Sequence, residues 1–382
     1  MRNSANRCDE TFPLVPAPRA YKRLRLMAAC ALFSVSFIAG FVLAAPPAEA
    51  DDGAAKARLA GVERWLLLLN NELDSGTVER IAASDYDMVV VDDIATLSWN
   101  AGLDMRATVE RLKSRPVGQT NRRRLAISYL NIGQAEDYRV YFPESWKTAP
   151  PHWIVGADPE GWAGNYPVAY WHPEWQAILN GPEGLARQIA REGFDGAYLD
   201  WAAGYHDESV KARARQDGVD ARVEMIRLIV RVGEAARSIN PDFVLIVQNT
   251  SDLAYVPEII EAADAFVQEA IWFDGTVGDD PPGDCALPRT AAEAGSRAYL
   301  ASLPAPCARA YADGRAGILD FAAEQWLVPD LTRARAAGLA VFTVDYAVQP
   351  ANVSEAVRRS RALGFKPFVG ARSLKEFQPP LF

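Results

Sequence analysis

The apolar runs of this 382-residue chain end repeatedly in a side chain that can do chemistry. Asp92-Asp93 closes the run at 88–92 and Asn131 the run at 125–131. Asp200 closes 196–200, and Gln248-Asn249 ends the run that begins at 243. Glu269 closes 265–269, and Asp345-Tyr346 ends the run that begins at 340. Asp and Asn are favoured helix N-caps, so one or two of these groups are expected to be caps. Six in succession exceed what caps require. Carboxylates brought from different strands to one rim suit glycoside hydrolysis. That reaction needs an acid to protonate the leaving oxygen and a second carboxylate to attack the anomeric carbon or activate water. Of these acids, Asp200 and Glu269 are the hardest to explain as caps or packing. Asp195 and Gly196 already supply the turn into the strand before Asp200. Glu269 follows an apolar stretch, where an unpaired carboxylate is costly to bury without a use.

These groups must be positioned by the runs that carry them. Strands are expected at 65–69, 88–92, 125–131, 196–200, 243–248, 265–269, 340–345 and 366–369. All are short and rich in Val, Ile, Leu or aromatic residues, as parallel strands covered on both faces are. Helical stretches lie between them. Residues 221–239 place Val223, Ile226, Val230 and Ile239 near one face and stop at Asn240-Pro241. Residues 185–191 end at Gly193. Asn352-x-x-Glu355 has the spacing of a capping box. Eight strands alternating with helices predict an α/β fold, a single-domain (β/α)8 TIM barrel, whose active site lies at the C-terminal ends of its strands. A doubly wound open sheet is the alternative. Long loops follow strands 3 and 6, and loops of that length are usually functional. The first, 132–193, holds Trp146, Trp153, Trp162, Tyr166, Tyr170, Trp171 and Trp175. Trp201, Tyr205, Trp272 and Tyr346 follow other strand ends. Aromatic faces stack on sugar rings, although packing is the commoner use of any one of them.

Arg19, Lys22, Arg23 and Arg25 precede an uncharged stretch, 26–45, then Pro46-Pro47 and Ala48-Glu49-Ala50. That order predicts a signal peptide over 1–50, a catalytic domain over 51–382 and a secreted or periplasmic product. A retained anchor is the alternative, since twenty apolar residues can span a bilayer. The first fifty residues hold six basic and three acidic residues, so the remainder carries 34 basic against 46 acidic. A charge of −12 argues against a nucleic-acid partner, and no membrane partner is expected after cleavage. Cys285 and Cys307 are the cysteines left. In an oxidising compartment they form a candidate disulfide, and two buried thiols are the alternative. No G-x-G-x-x-G follows a strand, and neither a P-loop nor G-x-S-x-G is present. His152, His172 and His206 lack H-E-x-x-H spacing, so no metal or cofactor is expected. A carboxylate-rich, metal-dependent hydrolase remains a minority reading.

Several segments resemble those of glycoside hydrolase family 114, the endo-α-1,4-polygalactosaminidase-like proteins. They are Ser128-Tyr129-Leu130-Asn131-Ile132-Gly133-Gln134-Ala135-Glu136-Asp137-Tyr138-Arg139, Val168-Ala169-Tyr170-Trp171-His172-Pro173-Glu174-Trp175, Gly193-Phe194-Asp195-Gly196-Ala197-Tyr198-Leu199-Asp200, Val267-Gln268-Glu269 and Val344-Asp345-Tyr346-Ala347. The resemblance spans about Trp65 to Val369. It implies a barrel that cleaves α-1,4-linked galactosamine-containing polysaccharide, with Asp200 as nucleophile and Glu269 as acid/base. It further implies that Asp93, Tyr129, Asn131, Arg139, Asn249, Asp345 and Tyr346 line the site, and the aromatic third loop adds Trp171. One departure concerns the substrate: Gln134 stands where the family segment carries glutamate. A barrel that binds carbohydrate without cleaving it is the alternative that Gln134 raises.

Overall fold

The computed structural model describes residues 52–380, except 70–72, 101, 115, 118–121, 316–318 and 320. The expected signal peptide and its cleavage site lie outside the described residues. Among the described residues, no helix is long and apolar enough to cross a membrane.

Eight parallel strands form one sheet in chain order. They are β1 (Trp65–Leu68), β2 (Met88–Asp92), β3 (Leu125–Asn131), β4 (Gly196–Asp200), β5 (Val244–Gln248), β6 (Ala265–Glu269), β7 (Ala340–Tyr346) and β8 (Lys366–Gly370). β1 comes round to β8, where Trp65 Nε1 donates to the Lys366 carbonyl at 3.0 Å, so the sheet nearly closes into a barrel. Apolar residues on both faces are what such a sheet needs, because one face lines the barrel interior and the other meets helices. All four residues of β1 and all five of β2 and β5 are buried. This is the TIM barrel that the alternation of strands and helices predicts.

The helix Ala221–Arg237 begins at Asp220, whose carboxylate accepts the Val223 N–H at 3.0 Å. It buries Met225, Leu228, Ile229, Val232, Ala235 and Ala236, a stripe at i, i+3, i+4 spacing. The expected face was misplaced, because Val223 and Ile239 are exposed. The sheet selects the longer stripe, which includes Met225 and Leu228. The capping box at Asn352 is also corrected. The last long helix starts at Pro350 with Gln349 as N-cap, and Asn352 donates sideways to Asp284 Oδ1 at 2.9 Å.

The third loop makes its own small core. Gln134–Glu136 pairs antiparallel with Asn165–Pro167. Trp146, Trp153 and Trp175 pack on one another, with ring centroids 5.1 and 5.6 Å apart. Trp153 and Trp175 are fully buried, so these rings stabilise the loop and present no face to a sugar. In the sixth loop, Phe273–Asp274 pairs with Cys285–Ala286, and Cys285 is disulfide-bonded to Cys307 on the helix Ala305–Ala312.

Carboxylates just before the strands are neutralised by cations. Asp195 meets Lys113 at 2.8 Å and Arg58 at 2.9 Å, and Asp264 meets Arg237 at 2.7 Å. This N-terminal end of the barrel serves stability. Beside it, Gly196 opens β4 where a Cβ would fall on the Val244 side chain and carbonyl. Gly196→Ala should therefore cost about 1–3 kcal/mol through overpacking. Calorimetry should show a clear drop in Tm, and an unchanged Tm would mean that β4 and β5 do not pack this closely.

Candidate active site

Side chains alternate along a strand, so Tyr198 and Asp200 share one face of β4, and Tyr129 and Asn131 share one face of β3. These faces meet at the mouth. Tyr129 Oη donates to Asp200 Oδ2 at 2.5 Å. Tyr198 Oη donates to Glu269 Oε1 at 2.6 Å, which ties β4 to β6. Gln248 Nε2 donates to the same oxygen at 3.1 Å. Tyr346 Oη donates to Glu269 Oε2 at 2.8 Å. Glu269 thus accepts three side-chain hydrogen bonds, while Asp200 accepts one and faces the negative charge of Glu269. Burial first, and that charge second, push the Asp200 carboxyl up to about 7. Tyr129, Tyr198 and Tyr346 are all driven well above the ordinary phenol range, chiefly by burial, and remain neutral donors.

Each of these strands ends in a left-handed turn. Trp201, Asn249 and Ala270, the residues directly after β4, β5 and β6, have φ of 56°, 54° and 51°. Non-glycine residues in this region cost on the order of 1–3 kcal/mol each, and such strain concentrates at functional sites. The turn after β6 is braced from both sides. Asn249 Oδ1 accepts the Glu269 N–H at 2.9 Å. Asp345 Oδ1 accepts the N–H groups of Ile271, Trp272 and Phe273 at 3.1, 2.6 and 3.1 Å.

Four of the expected site residues are placed elsewhere. Asp345 lies on the helix-facing side of β7 with Thr343, whose hydroxyl donates to Ser360 at 3.0 Å. It is fully buried and organises backbone. Asp93 caps the short helical turn Ile94–Thr96 and its carboxyl faces Glu192. Its neighbour Asp92 turns the other way and takes two hydrogen bonds from Arg139, at 2.8 and 3.1 Å. Arg139 is itself buried between Asp92, Glu136 and Thr96, with every guanidinium nitrogen engaged, so it acts as an ion-pair hub. Trp171 donates to Asp217 at 2.9 Å, which staples the third loop to the helix Glu208–Asp217. Gln134 takes the Asn131 amide at 3.0 Å and donates to Asp158 at 2.7 Å. Its neutral side chain completes the hairpin.

Further residues reach the site, most without a signal at the strand ends. Tyr198 was detectable, since it stands two residues before Asp200 on the same strand. Gln248 was noted only as a strand end. Asp274, buried and pushed up to about 6 by desolvation, follows β6 by five residues. Arg372 follows β8 and donates to Tyr346 Oη at 3.1 Å. Among the described residues, no three His, Cys, Asp or Glu side chains converge as a metal site would require.

The raised Asp200 makes stability depend on pH. The folded chain holds this proton more tightly than the unfolded chain. The term therefore favours folding below the ordinary carboxyl range near 4 and is lost as pH rises toward 7. Asp200→Asn should then be more stable than the parent above pH 7, by on the order of 2–4 kcal/mol, and the gain should shrink toward zero near pH 3. Urea titrations across this range check it, and a gain independent of pH would contradict it.

The profile of glycoside-hydrolase family GH114 matches residues 103–379. An uncharacterized protein of Deinococcus radiodurans is 32% identical over 323 residues, which are 84% of this chain and 83% of that one. Another, from Methanocaldococcus jannaschii, is 30% identical over 215 residues, 53% of this chain and 56% of its own length. Among solved structures, the glycoside hydrolase domain of PelA from Pseudomonas aeruginosa matches with a TM-score of 0.53 at 17% identity, covering 83% of this chain and 98% of that one, a likeness of fold. The chain belongs to glycoside-hydrolase family GH114.

Proposed function

We propose that this chain is an exported, endo-acting hydrolase of α-1,4-linked galactosamine-containing polysaccharide, with Asp200 and Glu269 as its catalytic pair. One observation carries the reading: two carboxylates from β4 and β6 share the barrel mouth and interact electrostatically. Among the described residues, no cation forms a salt bridge with either of them. Family membership supports the reaction class. The substrate follows from the family resemblance and suits an acidic mouth, where Asp274 joins the pair. Export rests on the sequence of residues 1–50, and the mature domain is 51–382.

In this reading Asp200 attacks the anomeric carbon and Glu269 protonates the leaving oxygen. The glycosyl-enzyme ester is then opened by water, which Glu269 deprotonates, so the product retains its anomeric configuration. Attack requires Asp200 to be ionised, whereas burial favours its protonated form in the empty site. Ionising a carboxyl costs about 1.4 kcal/mol for each unit by which its pKa exceeds the pH. That is small beside the 8 kcal/mol or more by which enzymes lower barriers. The resting position of the proton therefore does not fix the roles.

The test is hydrolysis of a panel of galactosamine, glucosamine and galactose polymers, with products read by mass. The galactosamine polymer should be cut internally. Asp200→Asn and Glu269→Gln should fold normally and lose at least about 10²–10⁴-fold in kcat. Azide should restore turnover to Asp200→Gly with formation of a glycosyl azide of inverted configuration. Normal hydrolysis by both variants would end the assignment. Polymer binding by the parent protein with no release of reducing ends would favour a non-catalytic carbohydrate-binding barrel.

A further inference from the structure

Arg372 stands two residues past β8, outside the strand-end pattern that supplies the catalytic pair. Nη1 donates to Tyr346 Oη at 3.1 Å, and that oxygen is 2.8 Å from Glu269 Oε2. Nη2 donates to Glu160 Oε2 at 2.9 Å, and Nε is 3.7 Å from Asp274 Oδ1. The guanidinium carbon lies 4.5 Å from the centre of the Tyr346 ring and 5.5 Å from that of Trp162. The backbone beside it is pinned as well. Arg372 N–H donates to the Pro282 carbonyl at 2.8 Å, and Ser373 N–H donates to Asp279 at 2.8 Å. Arg372 is therefore a fixed cation behind Tyr346.

A count of hydrogens gives its consequence. A guanidinium has donors and no acceptor, and it stays charged at any pH the protein meets. In the Arg372–Tyr346 contact the phenol oxygen must therefore accept. Its own single hydrogen is left for Glu269 Oε2.

We propose that Arg372 is a positioning residue for Glu269: it locks the Tyr346 hydroxyl as a standing donor to Oε2, which favours the ionised form of Glu269. The proposal rests on the reading of Glu269 as the acid/base. Other groups facing Glu269 are Asp200 and Tyr198 from β4, Gln248 from β5 and Asp274 from the sixth loop. The two carboxylates place negative charge beside it, Tyr198 and Gln248 donate to it, and Glu160, from the third loop, faces Arg372 from the other side. Because Glu160 and Trp162 both belong to the third loop, one side chain joins that loop to the hydrogen-bonding of the acid.

The experiment uses the whole protein with 13C-labelled glutamate carboxyl groups. Glu269 is assigned by loss of its signal in Glu269→Gln, and its NMR titration is followed without substrate. Arg372→Met should raise the midpoint by at least one pH unit, and Arg372→Lys should return part of it. Tyr346→Phe should also raise the midpoint, and in its background Arg372→Met should add distinctly less than it does alone. An unmoved midpoint in Arg372→Met, or an equal effect in both backgrounds, would overturn the proposal, because Arg372 would then act as bulk or as a bare charge. If Arg372→Met fails to fold, Arg372→Lys and Tyr346→Phe, singly and combined, make the same comparison. In kinetics on the galactosamine polymer, the alkaline limb of kcat should move with the midpoint. If the midpoint shifts but the parent protein hydrolyses no polymer, the catalytic reading fails while the hold of Arg372 on Glu269 stands.

Discussion

Asp200 and Glu269 repel each other across the mouth of a barrel whose interior is almost wholly apolar. Both side chains are only partly exposed there, so water screens their charges less than it would in solution. A buried carboxylate costs several kcal/mol unless it is paired or well hydrogen-bonded. The protein answers with hydroxyl and amide donors. Tyr129, Tyr198, Tyr346 and Gln248 stabilise negative charge without cancelling it. An Arg or Lys directly on either carboxylate would pull it down and hold it ionised.

The opposite end of the barrel shows what direct neutralisation looks like. Asp195 sits against Lys113 and Arg58, and Asp264 against Arg237. Each also accepts a backbone N–H at a strand start, from Ala126 and Leu245 respectively. These acids are mortar between strands and helices. The same residue type thus does structural work at one rim and stands poised at the other, and what differs is the partner. Arg372 is the mouth's compromise. Its charge reaches Glu269 through a phenol rather than by contact.

The fold was legible because its physics is written locally. Parallel strands covered on both faces must be apolar throughout, and the runs at 88–92, 125–131, 196–200 and 265–269 begin and end in the structure where the sequence places them. The site was legible as a set of strand ends, but the phase of each strand was not. Adjacent polar residues such as Asp92-Asp93 and Asp345-Tyr346 point to opposite faces, and nothing within one strand says which face is inner. The choice is made by partners distant in sequence. Arg139 selects Asp92, and Ser360 with Arg359 lies on the Asp345 side. The tryptophans misled for a related reason. Their density in the third loop marks a loop large enough to need its own core, and Trp153 and Trp175 fill it. Arg372 lay past the last strand, where no periodic signal reaches.

Asn249 and Asp345 show that a side chain occupied with backbone can still be tied to the chemistry. Each comes from a strand flanking β6. Asn249 takes the N–H of Glu269 itself, and Asp345 takes three consecutive N–H groups just beyond Ala270. The left-handed Ala270 lies between these two anchors, and its own N–H donates to the Val344 carbonyl at 2.8 Å. A strained turn at a strand end would relax if it were free, and relaxation would swing Glu269 away from Tyr198 and Tyr346. Hydrogen bonds from both neighbouring strands prevent this. Misplacement by about 1 Å can cost a catalyst 10²-fold, so groups that never meet the sugar can matter to turnover as much as those that do. The carboxylate at the end of β7 thus acts on the site through the geometry of the carboxylate at the end of β6.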